Sequence, residues 1–239
     1  LKDSPPLAQR LFQNEAPGIH AELSAASNTL LIAFSGIFGG FGGMPVFEFS
    51  RTLEKFAVKK FFVRDLAQAW YQRGLPEAGG TIDEVSEYLQ GSIRQLNVQR
   101  IVTLGNSMGG YAALLFGWLL QVDEAHAFSP QTYIDRKRRL LTRDSRWKDQ
   151  IDQIYQVGEF DRRYLDLRAL FQSRSVRTTF HLYYCHSNRL DRHHATRMRK
   201  FPNVVLHRHN AGGHVLVKWL RDIGSLDTLL AECVRENIG

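Results

Sequence analysis

Residues 101–120 read IVTLGNSMGGYAALLFGWLL. A β-branched run leads into Gly105, Ser107, Gly109 and Gly110, and a long apolar segment follows. Glycine weakens both strands and helices, so a cluster at such a junction marks backbone with no room for side chains. The strand predicted over 100–105 would feed a helix predicted from Met108 to about Leu120, apolar nearly all round and therefore buried. A G-x-S-x-G turn between two such elements holds its serine on strained backbone with the hydroxyl projecting outward. The helix N-terminus places partial positive charge where an oxyanion would form.

The same alternation continues outward. TLLIAF (29–34) is a short apolar run ending at Ser35-Gly36, as a buried strand would. SGIFGGFGGMP (35–45) holds five glycines in eleven residues and reads as a loop, with GGFGG either widening a pocket or forming a flexible turn. PVFEFSRTLEKF (45–56) reads as a helix with proline in its first turn. VKKFFVRD (58–65) is a further strand, and residues 81–97 an amphipathic helix with a Thr81/Glu84 capping box. Strands follow at 124–130, 178–185 and 203–209, and one helix closes the chain over 215–234. GIHAELSA (18–25) adds an early strand. Strands alternating with helices predict an α/β fold, a mostly parallel sheet with helices on both faces, in a single domain over 1–239.

The chain resembles the α/β-hydrolase superfamily over about residues 28–235. The resemblance rests on GNSMGG (105–110), FSGIFGG (34–40), LDRHHA (190–195) and GGH (212–214). It implies the α/β-hydrolase fold and a serine esterase or thioesterase working through an acyl-enzyme, with nucleophile, acid and histidine in that order along the chain. Ser107 is then the nucleophile, and it needs a base because a hydroxyl attacks poorly at neutral pH. His214 holds the family's histidine position, after the last strand. His207 and His209 alternate along that strand and would pack within the sheet or point away from the site. His186, His193 and His194 would lie near the acid loop.

Asp191 is the carboxylate expected to fix the His214 tautomer. Its competing reading is an N-cap, and Asp135 is the rival acid. The oxyanion hole would use the amides of Met108 and Ile37, the latter standing after Ser35-Gly36 where many relatives carry His-Gly. A vestigial triad in a binding protein, and acyl transfer on the same triad, are the alternatives.

Net charge is +7, which favours anionic partners as a field effect. Seven of the cations fall in QTYIDRKRRLLTRDSRWK (131–148): Arg136, Lys137, Arg138, Arg139, Arg143, Arg146 and Lys148. The segment is either a solvated face or a substrate-steering one. Residues 131–175 interrupt the alternation and read as a helical basic lid insertion, its charges too dense for burial. Leu140, Leu141, Trp147, Ile151 and Ile154 would then turn toward the pocket. The segment lacks a nucleic-acid reading motif and interleaved aromatics.

The expected partner is a small or carrier-bound acyl substrate, anionic in character, with no cofactor and no metal. Two cysteines, Cys185 and Cys233, are too few for a disulfide framework or a cysteine metal site and predict a reduced, cytoplasmic setting. No apolar run reaches the roughly 18 residues of a membrane span.

Overall fold

Strand β2 (Thr29–Phe34) is buried at every position, and its alternation divides the interior in two. Leu30, Ile32 and Phe34 point into one core with α2 (Ile82–Arg94) and α3 (Met108–Leu120). Leu31 and Ala33 point into the other, against α8 (Leu216–Asp222) and α9 (Ser225–Cys233). A strand covered on both faces needs apolar side chains on both, which is why TLLIAF shows no polar alternation. The computed structural model describes residues 17–37, 47–158 and 160–235 of the chain.

Among the described residues, seven strands form one sheet, in the order β1-β3-β2-β4-β5-β6-β7. The remaining strands are β1 (Ile19–Glu22), β3 (Lys59–Val63), β4 (Arg100–Asn106), β5 (Glu124–Phe128), β6 (Thr179–Cys185) and β7 (Val204–His209). Only β1 runs antiparallel, pairing Ile19 with Val63 at one edge. From β2 the chain steps outward to β3, then returns to β4 on the other side of β2 and continues to β7. The order therefore reverses between β2 and β4, and the crevice past their carboxyl ends is where open α/β sheets place their sites. Phe34 pairs with Gly105, and Asn106 with Phe128, so the ends of β2, β4 and β5 lie level.

α3 spans the predicted residues and buries Met108 through Trp118. α2 carries the predicted capping box: the Thr81 side chain accepts from the Glu84 amide, and the Glu84 carboxylate accepts from the Thr81 amide.

Two expectations change, and a third lies outside the described residues. The helix expected over 45–56 is, in the described residues, the short α1 (Ser50–Leu53). Phe49 before it is left-handed, with φ 67°, which stops the helix from extending back. The closing helix is two, α8 and α9, divided at Gly224 with φ 73°. The GGFGG run lies outside the described residues.

Between β5 and β6 the chain forms α4 (Arg136–Thr142), α5 (Lys148–Val157), a single 3₁₀ turn (Arg162–Tyr164) and α6 (Leu167–Ser173). Ile151, Ile154, Leu167 and Leu170 join the core that contains α3. Leu140 and Leu141 do not turn inward: they are 80% and 83% exposed. The single buried residue of α4 is Arg139. Its guanidinium lies 4.0 Å from the buried Asp144 carboxylate and donates to the Arg146 carbonyl. The charges are thus not all excluded from the interior, because a buried cation is tolerated once it is paired. Among the described residues, no helix is long and apolar enough to cross a membrane.

Candidate active site

Ser107 stands between β4 and α3 with φ 54° and ψ −113°, backbone that an L-residue adopts only under strain. The turn is closed by the two flanking glycines. A methyl group on Gly105 would sit 2.0 Å from the Gly109 carbonyl oxygen, and one on Gly109 would sit 2.1 Å from that of Phe34. No side chain fits either place. The Ser107 amide donates to the Phe128 carbonyl at 2.9 Å, which pins the turn to the end of β5.

His214 lies in the loop between β7 and α8. The Ser107 hydroxyl lies 3.1 Å from its Nε2. Its Nδ1 lies 3.0 Å from each oxygen of the Asp191 carboxylate. An Nδ1–H donating to that carboxylate leaves Nε2 free to accept the hydroxyl proton. Asp191 itself is fully buried, in the first turn of α7 (Arg189–Thr196). It does not cap that helix. Asn188 does, its side-chain oxygen accepting from the Leu190 and Asp191 amides at 3.1 Å each. The Asp191 carboxylate is thereby left to His214. Asp135 caps α4 instead, accepting from the Arg138 amide at 2.9 Å.

A second carboxylate, which sequence reasoning missed, supports the first. Arg146 Nη1 donates to Asp191 Oδ1 at 2.6 Å. Its Nε and Nη2 donate to the two oxygens of Asp144 at 3.0 and 2.8 Å. Behind Asp144 lies His194, three residues after Asp191 and so on the same helix face. The Thr132 amide donates to His194 Nδ1 at 2.9 Å, so Nδ1 carries no proton and Nε2–H must be the group that donates to Asp144. Burial pushes His194 down to about 4, which keeps it neutral near pH 7. Burial opposes the charge on Asp191, but the hydrogen bond from His214 and the Arg146 cation outweigh it and hold the carboxyl below its ordinary value. Asp144 is likewise held well below the carboxylate range despite burial, by His194 and Arg146.

The loop after β2 is fastened by Glu48. Its carboxylate accepts from the Gly36 amide at 2.9 Å and from the Asn106 side-chain amide at 2.9 Å, while its own amide donates to the Ser35 hydroxyl at 3.1 Å. Asn106 immediately precedes Ser107, so one carboxylate ties the β2 loop to the serine turn. Burial raises Glu48 to about 6, against the lowering effect of those two bonds. Ile37 follows Gly36 and is buried, and Met108 opens α3.

No protein-family model matches this chain, and no curated protein matches it in sequence. Solved structures do match in shape. One is an alpha/beta hydrolase enzyme from the metagenome of Mar Chica lagoon sediments, at a TM-score of 0.56 and 12% identity, over 91% of this chain and 96% of that one. The fold is that of the α/β-hydrolases. A mutant of the capsule O-acetyltransferase of Neisseria meningitidis serogroup A, in complex with CoA, superposes on the same hydrolase fold at a TM-score of 0.61 and 12% identity, over 89% of this chain and 93% of that one. A glycosylation-associated protein complex from Streptococcus agalactiae gives 0.62 at 16% identity, over 93% of this chain but 47% of the other.

Three other histidines of this α/β-hydrolase fold bond within the sheet. His181 and His207 bond to each other at 2.9 Å across β6 and β7, within the sheet. Glu124, His126 and His181 bring three metal-type donors close together, at the start of β5 and so away from its carboxyl end. Their arrangement does not suit an ion. The His126 and His181 rings stack at an interplanar angle of 3°, so their nitrogen lone pairs run side by side and do not converge. Glu124 is also paired to Arg100 at 3.0 Å.

Proposed function

We propose that the chain is a serine hydrolase that cleaves an ester or thioester through an acyl-enzyme on Ser107. The observation that carries this reading is the unbroken contact from the Ser107 hydroxyl to His214 Nε2 at 3.1 Å and from His214 Nδ1 to Asp191 at 3.0 Å. Ser107 Oγ attacks the acyl carbon while its proton passes to His214 Nε2. Asp191 stabilises the imidazolium so formed without taking the proton. The carbonyl electron pair collects on the oxygen, stabilised by the amides of Met108 and Ile37. Support for that pair comes from the packing of the β2 loop directly on the first turn of α3, where Gly109 leaves no space. His214 then returns its proton to the leaving group, and water, activated by the same base, releases the acid.

A fluorophosphonate probe tests this directly. One adduct per folded molecule on Ser107 is expected, and a folded protein that does not react there would overturn the proposal. The exposed Lys137 and Arg143, which meet no aspartate among the described residues, favour an anionic substrate such as an acyl group on a phosphorylated carrier or an acidic saccharide ester. Acyl transfer is the second reading, because the fold is shared with an O-acetyltransferase in complex with CoA. Product analysis with acetyl thioester, with and without a saccharide acceptor, separates the two: hydrolysis gives acetate alone, transfer an acetylated saccharide.

A further inference from the structure

Ser107 Oγ has a second polar neighbour besides His214. Gln131, three residues beyond β5 and 1% exposed, donates from Nε2 to Oγ at 3.3 Å. The orientation of its amide is set by Trp70, whose indole Nε1–H donates to Gln131 Oε1 at 3.2 Å. An indole nitrogen only donates, so the amide oxygen must face Trp70 and the NH₂ must face the serine.

Trp70 is itself held in an unusual loop. Gln68, Trp70 and Tyr71 have φ of 50°, 52° and 61°, three left-handed non-glycine residues within four positions. The buried Asp65 carboxylate fixes them, accepting from the amides of Ala67, Ala69 and Tyr71 at 3.0, 2.7 and 2.8 Å. Strain of this kind persists only where the surroundings over-determine it, and it gathers at working sites. Here it places the indole of a fully buried tryptophan against the one amide that touches the nucleophile.

We infer that Gln131 is a further catalytic residue, a fixed N–H donor to the nucleophile oxygen in both half-reactions. This rests on the reading of Ser107 as nucleophile. A serine oxygen has one hydrogen and two lone pairs. With the Gln131 N–H directed at a lone pair, the hydroxyl hydrogen is left for His214 Nε2. In acylation the Oγ–C bond forms as that proton moves to His214, and Gln131 stabilises the negative charge passing through Oγ. In deacylation the Oγ–C bond breaks, charge returns to Oγ, and the proton comes back from His214. Gln131 transfers no proton in either step.

The test compares Gln131→Met and Gln131→Glu with the unaltered protein, using a fluorophosphonate probe and single-turnover acylation by p-nitrophenyl acetate. Gln131→Met removes the donor. A hydrogen bond to a charged group is worth about 1.5–3 kcal/mol, so both rates of the folded variant should fall about 10- to 100-fold with the apparent KM little changed, while the melting temperature drops because the buried Trp70 Nε1–H loses its acceptor. Gln131→Glu keeps the shape and the acceptor for Trp70 but turns an acceptor toward Oγ, so its rates should fall further. A purely structural residue would lower the melting temperature and leave the folded fraction reacting at the normal rate. Should Gln131→Met fail to fold, the near-isosteric Gln131→Glu decides alone. Either folded variant reacting at the unaltered rate overturns the role of Gln131. Absence of any Ser107 adduct in the unaltered protein overturns the nucleophile reading itself, so the two failures are distinguishable.

Discussion

Arg146 and Asp191 form a 2.6 Å ion pair on the same carboxylate that faces His214. The arginine comes from the turn between α4 and α5, so the basic segment read as a lid reaches the carboxylate that His214 meets. Asp191 and Asp144 are both fully buried at their side chains. Leaving a buried charge without its partner costs about 3–5 kcal/mol. Arg146→Met should lower stability by about that amount in a denaturant titration. It should also slow turnover, because Asp191 loses one of its two anchors. Arg146→Lys should recover only part of both, since one ammonium cannot bond two carboxylates as a guanidinium fork does. A titration midpoint unchanged in Arg146→Met would show that the pair carries no weight.

Ser107→Ala should end covalent labelling and turnover while the chain stays folded. Its alanine keeps the positive φ, however, and so keeps the strain. Ser107→Gly removes the strain as well as the hydroxyl. Thermal melts should therefore place the glycine variant above the alanine variant, by about 1 kcal/mol net of the extra freedom glycine gains when unfolded.

His214→Ala and Asp191→Asn should both cripple turnover, the latter by up to about 10⁴-fold because the amide holds the wrong tautomer. Asp135→Asn should leave turnover near normal, since Asp135 only caps α4 and asparagine caps as well. Steady-state rates of the three variants on one ester settle the choice of acid. A normal rate in Asp191→Asn with a dead Asp135→Asn would reverse it.

Glu48 should leave a signature in the pH dependence of stability. Its folded value, about 6, lies above the 4.5 of an unperturbed glutamate. The folded chain therefore holds that proton more tightly than the unfolded chain. The resulting stabilisation is complete below about pH 4.5 and is lost as pH rises through 6. The stability difference between the unaltered protein and Glu48→Gln, measured from pH 4 to 8, should slope downward across that window and flatten on either side. A flat difference would place the titration elsewhere.

Most cations of the basic segment are already spoken for: Arg136, Arg138, Arg139, Arg146 and Lys148 each meet an aspartate. Among the described residues, Lys137 and Arg143 do not. If the segment steers an anionic substrate, the Lys137→Ala/Arg143→Ala pair should lower kcat/KM for an anionic thioester at low salt. The loss should fade as salt brings the Debye length well under 10 Å, with a neutral ester unaffected. Equal loss for both substrates would mark a structural role.

The serine turn was legible because its constraints are local. Gly105 and Gly109 are required by contacts within five residues or across one neighbouring strand, and the strand and helix around them show plain apolar patterns. His214 and Asp191 were legible through the order of loops after successive strands. Arg146, Asp144, Gln131 and Glu48 were not. Each is one polar residue among many in a loop, and its role arises only when distant loops meet at the carboxyl ends of the strands. The basic segment misled for a related reason. Charge density along the chain reads as exposure, but Asp144 and Asp191 supply in three dimensions the counter-charges that Arg139 and Arg146 lack in one.

The groups that converge on Ser107 lie far apart along the chain: Trp70, Gln131 and His214 belong to three separate loops, and Asp191 to the first turn of α7. No short fragment can bring them together, so the reactivity of one hydroxyl would report on the integrity of the fold from Trp70 to His214. Adduct yield per mole of protein would then serve as a census of native molecules. Followed through a denaturant series, it should fall along the same curve as the fluorescence of the four tryptophans, and an earlier fall would reveal that the loops part before the sheet does.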